Sequence, residues 1–450
     1  MGAPAVDTRK GAASGALTIA LCFGVMVIEG FDIQAMGVAA PALGPELKLS
    51  REVLGQALSA SNIGLVFGAI LGGWLADRIG RKPVLIGAVI TFGVFTLMTM
   101  QSTSYDMLFY ARLFTGLGFG AALPNVMAMS ADMAPSEKRG STGAMMFCGM
   151  PVGGSIVALI SWLEAGSDWR LLFLIGGLIP LLLAPALLFL MKETQRPAPQ
   201  PITLNGMLPW LSAIPFGIVF WLALQQLGAS KGFGSIAGIA PWLGGVLGLL
   251  AAYLIVHRSA LFGARRSPAS LLLWFTFFPT LLMLYLVLNW LPTLVAAKGF
   301  PEEASLASVW FNLAAVAGAI GLGALVDRFG IRWPLSLSFF GLIGALVALG
   351  SATSLWPILI LSGLVGILML GANYALYGAA ASYYPPDMRG RGSGASIAWG
   401  RLGSVAGPLV GGFLLQGGAS PDQVVYAMIP FAAISGLGIL ALTLFARPEG

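Results

Sequence analysis

Fourteen stretches of about 20 apolar residues follow one another along the chain, each long enough for a helix to cross the hydrocarbon core of a bilayer. Six lie near 15–38, 53–76, 83–101, 107–131, 141–163 and 170–191. Six more lie near 268–296, 304–326, 334–352, 356–382, 393–416 and 424–446. Two others stand between these groups, near 206–227 and 238–257. Polar residues gather in the short interruptions. Gly and Pro recur inside the runs, which membrane helices tolerate because neighbouring helices re-satisfy the backbone. The first run is too long for a cleavable leader and has no small-residue cleavage site. The pattern predicts an all-α polytopic membrane protein with 14 spans, grouped as six, two and six.

The two groups of six repeat one another. The end of the second run, Gly72-Gly73-Trp74-Leu75-Ala76-Asp77-Arg78-Ile79-Gly80-Arg81-Lys82-Pro83, returns as Gly323-Ala324-Leu325-Val326-Asp327-Arg328-Phe329-Gly330-Ile331-Arg332-Trp333-Pro334, an offset of 250. Pro135-Ser136-Glu137-Lys138-Arg139-Gly140 returns as Pro385-Pro386-Asp387-Met388-Arg389-Gly390 at the same offset of 250. Two motifs sharing one spacing mean a six-span unit duplicated in the same orientation, a plan found among transporters. The expected organisation is an N-terminal six-helix bundle over 1–192, a linker with two additional helices over 193–267, and a C-terminal six-helix bundle over 268–450. Inserting an even number of spans leaves the second bundle's sidedness unchanged.

The Gly-x-x-x-Asp-Arg-x-Gly element at Gly73–Gly80 resembles the loop signature of the major facilitator superfamily. The second copy is a weaker match, with Ile331 where the first has Arg81. The resemblance implies two pseudo-symmetric bundles about a mid-membrane cavity, one rocking against the other. It also implies a gate at this face. Asp77 and Arg78 would face a helix N-terminus of the other bundle, Arg81 would reach Asp132, and Asp327, Arg328 and Arg389 would serve the second copy.

Composition narrows the class. Hydrophobic residues make up 57% of the 450 and charged residues only 9%, whereas a soluble domain carries about 25% charged. Disorder, a secreted scaffold and a soluble enzyme are excluded. The net charge of +6 is scattered between apolar runs and forms no basic face for nucleic acid. Two cysteines, Cys22 and Cys148, inside apolar runs and one histidine, His257, leave no disulfide framework and no metal site to expect. No Walker-type loop suggests ATP, and no cofactor is expected. With the N-terminus inside, inner loops hold 17 Lys and Arg against 5 in outer loops. That bias predicts both termini in the cytoplasm of a bacterial inner membrane.

Charges inside the runs are the candidate chemistry, because each costs roughly 2.5–3.5 kcal/mol at mid-bilayer on insertion scales. Glu29 and Asp32 are three residues apart on the first span, so both carboxylates are expected to project from one helix face. Their mutual repulsion suits proton coupling. Arg112 and Arg401 have no loop to reach, and a guanidinium binds a carboxylate bidentately. Gln34, Asn125, Tyr285 and Asn289 are the further candidates for substrate contact, with Asn373, Tyr374 and Tyr377 also within reach. Phe31, Trp290 and Trp399 could stack on a ring. Gly116-Leu117-Gly118-Phe119-Gly120 and the pair Gly403 and Gly407 are expected to let helices pack closely.

Several stretches together resemble the aromatic acid:proton symporter family within that superfamily. They are Glu29-Gly30-Phe31-Asp32, Arg112 to Asn125, Met146 to Gly153, Leu284 to Thr293 and Gly400 to Pro408. The family usually has Asp where this chain has Glu29, and a polar central loop where this chain has two apolar segments. The resemblance implies a proton-coupled importer of a small aromatic carboxylate that works as a monomer in the lipid bilayer. The fourteen apolar runs keep a proton-driven exporter of drugs or metabolites open, and a non-transporting membrane sensor is the third reading.

Overall fold

The computed structural model describes residues 8–135, 139–164, 168–193, 215, 217–219, 221–224, 236–256, 261–263, 266–385 and 388–446. Helices α1 (Thr8–Glu46), α2 (Arg51–Ile79), α3 (Arg81–Met100), α4 (Tyr105–Met133), α5 (Arg139–Leu163) and α6 (Arg170–Leu190) form the first half. A single helix, α7 (Ile236–Val256), follows. The second half holds α8 (Ser267–Ala297), α9 (Ala304–Phe329), α10 (Arg332–Ser351), α11 (Leu355–Ala381), α12 (Arg389–Gln416), the short α13 (Pro421–Tyr426) and α14 (Ile429–Phe445).

The duplication carries through to local structure. Tyr105 and Leu355 open α4 and α11, and Arg139 and Arg389 open α5 and α12, each pair 250 residues apart. The repeated loop motif owes its turn to glycine. Gly80, between α2 and α3, has φ +97, and Gly330, between α9 and α10, has φ +72. Side-chain-bearing residues rarely adopt that left-handed backbone, so glycine reverses the chain there at least cost. Serines start helices at the other face: Ser50 Oγ accepts from Val53 N at 3.3 Å and Ser104 Oγ from Met107 N at 3.3 Å.

Packing follows the same symmetry. In the first half α2 packs on α4, α1 on α5 and α3 on α6; in the second, α9 packs on α11, α8 on α12 and α10 on α14. The α2–α4 crossing is close enough that a Cβ on Gly116 would lie 1.9 Å from the backbone oxygen of Ser61. We expect Gly116→Ala to push the two helices apart and cost about 2–3 kcal/mol. Gly87→Ala, where a Cβ meets nothing within 4 Å, should be neutral or slightly stabilising. Thermal unfolding of the two purified variants checks the contrast.

Eleven helices among the described residues are long and apolar enough to cross a membrane. That is fewer than the fourteen runs read from the sequence. Helix α12 is 28 residues long, but Arg401 in its middle and the glycines around it dilute its apolar character. The second central run does form a helix, α7, which is 21 residues long and carries no charged residue. It lies against the first half, with Trp242 6.3 Å edge-on from both Phe67 and Tyr110. It also reaches the second half, where Tyr253 Oη donates to Arg391 O at 2.9 Å. The first central run, 206–227, falls mostly outside the described residues.

Candidate functional site

Four helices contribute a helical stripe to one cavity between the halves. Leu281, Leu284, Tyr285 and Leu288 of α8 line it at spacings of three and four, as do Leu370, Asn373, Tyr374 and Tyr377 of α11. Gly30, Ile33 and Gln34 of α1 and Phe147, Met150 and Pro151 of α5 add shorter stripes. Such spacing keeps side chains on one helix face. Asn312 of α9 and Arg401 of α12 complete a cavity of about 50 Å³. Arg401 is the single charged side chain among its lining residues. It is 8% exposed, and its Nη1 donates to Tyr285 Oη at 3.0 Å.

The two acids of α1 point to different places. At about 100° per residue, Glu29 flanks the stripe of Gly30, Ile33 and Gln34, whereas Asp32 turns toward the interior of the first half. There Arg112 of α4 holds Asp32 in a two-pronged pair, Nη1 to Oδ1 at 3.0 Å and Nη2 to Oδ2 at 2.6 Å. Thr96 of α3 donates to the same carboxylate at 2.8 Å. Both members of the pair are fully buried, and neither lines the cavity. Glu29 is also fully buried, yet neither of its carboxylate oxygens has a hydrogen-bond partner. Its charged neighbours are Arg401 and Asp32.

The cavity is closed differently at its two ends. Toward the face opposite the repeated loop motif, hydrogen bonds stitch the halves together. Gln34 Nε2 donates to Leu288 O at 2.8 Å, Asn312 Nδ2 to Gln34 Oε1 at 3.1 Å, and Ser59 Oγ to Val405 O at 2.8 Å. Ser161 and Ser305 join α5 to α9 with 2.9 Å between their hydroxyls. Toward the motif face, Phe147 of α5 stacks on Tyr374 and Tyr377 of α11, centroids 5.6 and 5.4 Å apart.

The other candidates fall outside the cavity. Asn125 donates to Ala121 O and Asn289 to Tyr285 O, each at 2.8 Å within its own helix. Phe31 is not among the lining residues, Trp290 donates to Pro408 O at 2.9 Å, and Trp399 stacks on Trp274 at 5.1 Å. At the motif face, Arg81 forms an ion pair with Asp132. Asp77, Asp327 and Arg328 are exposed, Arg78 lies 3.9 Å over the Trp74 ring, and Arg389 Nε donates to Tyr384 O at 3.4 Å. Residues 136–138, 386 and 387 of the second repeated motif lie outside the described residues.

Three contributors escaped the sequence reading. Phe147 and Asn312 line the cavity, and Phe147-x-x-Met150-Pro151 carries the helical spacing that could have flagged it. Glu193, just past α6, accepts from the backbone N–H groups of Arg81 and Lys82 at 3.2 and 3.3 Å and so caps α3. Nothing local in the sequence pairs residues 112 apart.

The sequence profile of the Major Facilitator Superfamily matches residues 22–301 and 273–450. The chain is 34% identical to the 3-(3-hydroxy-phenyl)propionate transporter of Escherichia coli, over 95% of this chain and 93% of that one. It is 32% identical to the 4-hydroxybenzoate transporter of Pseudomonas putida, over 96% and 93% of the two chains. The gallate transporter of Pseudomonas putida is also 32% identical, over 97% and 93%. Among solved structures, a D-xylose-proton symporter superposes with a TM-score of 0.68 at 16% identity, over 96% of this chain and 98% of that one. At that identity the likeness concerns the fold alone. The chain therefore belongs to the Major Facilitator Superfamily, as a multi-pass membrane transporter, not an enzyme, related to the aromatic acid transporters.

Proposed function

We propose that the protein imports a small aromatic carboxylate together with protons by alternating access, in a bacterial cytoplasmic membrane with both termini inside. The observation that carries this reading is the lining of the cavity, one guanidinium set among tyrosines, a phenylalanine and aliphatic side chains. An aromatic acid has the matching form, one carboxylate on an apolar ring. The relatives' named substrates support the same class.

Coupling follows from the neighbours of Arg401. When Glu29 is ionised it neutralises the guanidinium. When Glu29 carries a proton, Arg401 has lost its nearby acid and takes the substrate carboxylate instead. Proton and anion then favour each other's binding, and by linkage each raises affinity for the other equally. The Arg112–Asp32 pair holds α1 in register against α4. Arg81 with Asp132, and Asp77, Arg78, Asp327, Arg328 and Arg389, gate the cytoplasmic face. Two bundles, 1–192 and 268–450, do the rocking as a monomer, and the 193–267 segment adds two further crossings.

Uptake of labelled 4-hydroxybenzoate into proteoliposomes under an imposed pH gradient tests the reading. Accumulation toward the alkaline interior is expected, and extrusion or no movement of any aromatic acid would sink it. Arg401→Gln should weaken acid binding about 100-fold, roughly 2.7 kcal/mol, while the uncharged amide of the same ring loses far less. Equal losses for acid and amide would make Arg401 a structural residue.

A further inference from the structure

The cavity holds a second polar group with an unmet need. Asn373 of α11 lines it and is 2% exposed, and its Oδ1 is buried with no hydrogen-bond partner. A buried amide oxygen gives up its water on folding and recovers that loss only when a donor arrives. Of the other cavity amides, Gln34 Oε1 accepts from Asn312 Nδ2, which also donates to Ser308 O. Among the described cavity amides, Asn373 Oδ1 is the oxygen that is both buried and unpaired.

Its surroundings say what kind of donor fits. Asn373 and Tyr377 stand one turn apart on α11, and both line the same cavity as Arg401. Tyr377 in turn stacks on Phe147 with an interplanar angle of 4°, a flat aromatic pair in the same lining. A ligand satisfying all three is a planar ring with a carboxylate at one position and a hydrogen-bond-donating substituent at another.

We infer that Asn373 is a specificity-determining residue that accepts a hydrogen bond from a ring hydroxyl, so that the transporter prefers hydroxylated aromatic acids over the plain ones. The inference rests on the aromatic-acid reading above and narrows it. A plain ring leaves Oδ1 orphaned in the closed cavity, and sites built to pair a hydroxyl discriminate strongly against ligands lacking it. A methoxy group fills the same space but has no proton to give. It should be rejected like the plain ring.

The test compares uptake of benzoate with its 3- and 4-hydroxy and 3- and 4-methoxy derivatives in proteoliposomes. The wild type should show a KM at least about tenfold lower for a hydroxy acid than for benzoate or the matching methoxy acid. In Asn373→Leu, which keeps the branched heavy-atom shape without the acceptor, that ratio should fall toward one. Asn373→Ala, which removes the acceptor without adding bulk, guards against a folding defect. Ligand-induced shifts in the melting temperature of both purified variants give the same ratio without transport. A wild type that takes up plain, hydroxy and methoxy acids alike overturns the Asn373 assignment and leaves the aromatic-acid reading standing. Retention of the hydroxyl preference in both variants does the same. A wild type that moves and binds none of these acids overturns both.

Discussion

Arg112→Met should be the most destabilising single change among the charged residues, at about 3–5 kcal/mol. The guanidinium and the Asp32 carboxylate are both 0% exposed and bonded at 3.0 and 2.6 Å, so removing either leaves the other charged in an apolar interior. Asp32→Leu should cost a similar amount. The double variant Arg112→Met/Asp32→Leu should recover most of it, since replacing both partners by apolar groups removes the desolvation penalty as well as the attraction. Arg81→Ala, at an ion pair whose members are 29% and 45% exposed, should shift stability by no more than about 1 kcal/mol. Thermal or denaturant unfolding of the four purified proteins settles the ranking. A double variant as unstable as the worse single one would mean that the pair does more than neutralise itself. In that case Arg112 would return as a candidate for the substrate anion.

Much of the architecture was legible because it is written at long period. The 250-residue offset of Asp77 and Asp327 reappears as matched helix starts and matched helix pairings, and apolar run length located the outer spans. The crossing count was less legible. Run length treats α12 as a span, while Arg401 and the glycines around it lower its apolar character. Hydropathy alone does not separate a helix that crosses lipid from one that lies against other helices.

The site was legible as a list of residues and opaque as a set of pairings. Glu29 and Asp32 look equivalent at a spacing of three, yet the roughly 60° between them sends one to the cavity flank and the other to Arg112. Arg112 and Arg401 look equivalent as buried cations, but α4 and α12 deliver one to a protein acid and the other to the cavity. Asn125 and Asn289 satisfy themselves on the preceding turn, at 2.8 Å. Asn373 was no more conspicuous in sequence than either. What separates it is an oxygen left unpaired by its neighbours, and that depends on every element packed around it.

Glu29→Gln should abolish accumulation driven by a proton gradient while sparing exchange of labelled for unlabelled substrate. The argument starts from burial. A carboxylic acid with no hydrogen-bond partner is cheap to bury and a carboxylate is costly, and Glu29 has no partner on either oxygen. Only Arg401 nearby offsets the ionised form. A substrate carboxylate on Arg401 removes that offset, so binding the anion draws a proton onto Glu29, and releasing the anion lets the proton go. The sign follows. As pH falls, the protonated fraction of Glu29 rises and the wild type should bind the ionised acid more tightly. Glutamine resembles the protonated acid and cannot change its charge. Its KM for the ionised acid should therefore be flat with pH and close to the low-pH limit of the wild type. Counterflow and gradient-driven uptake on the same proteoliposomes separate exchange from accumulation, and KM across pH 5–8, corrected for the acid's own ionisation, checks the linkage. Should Glu29→Gln still accumulate substrate against a gradient, with the wild-type pH dependence intact, the proton travels by another group. Asp32, freed from Arg112 in another conformation, would then be the acid to test next.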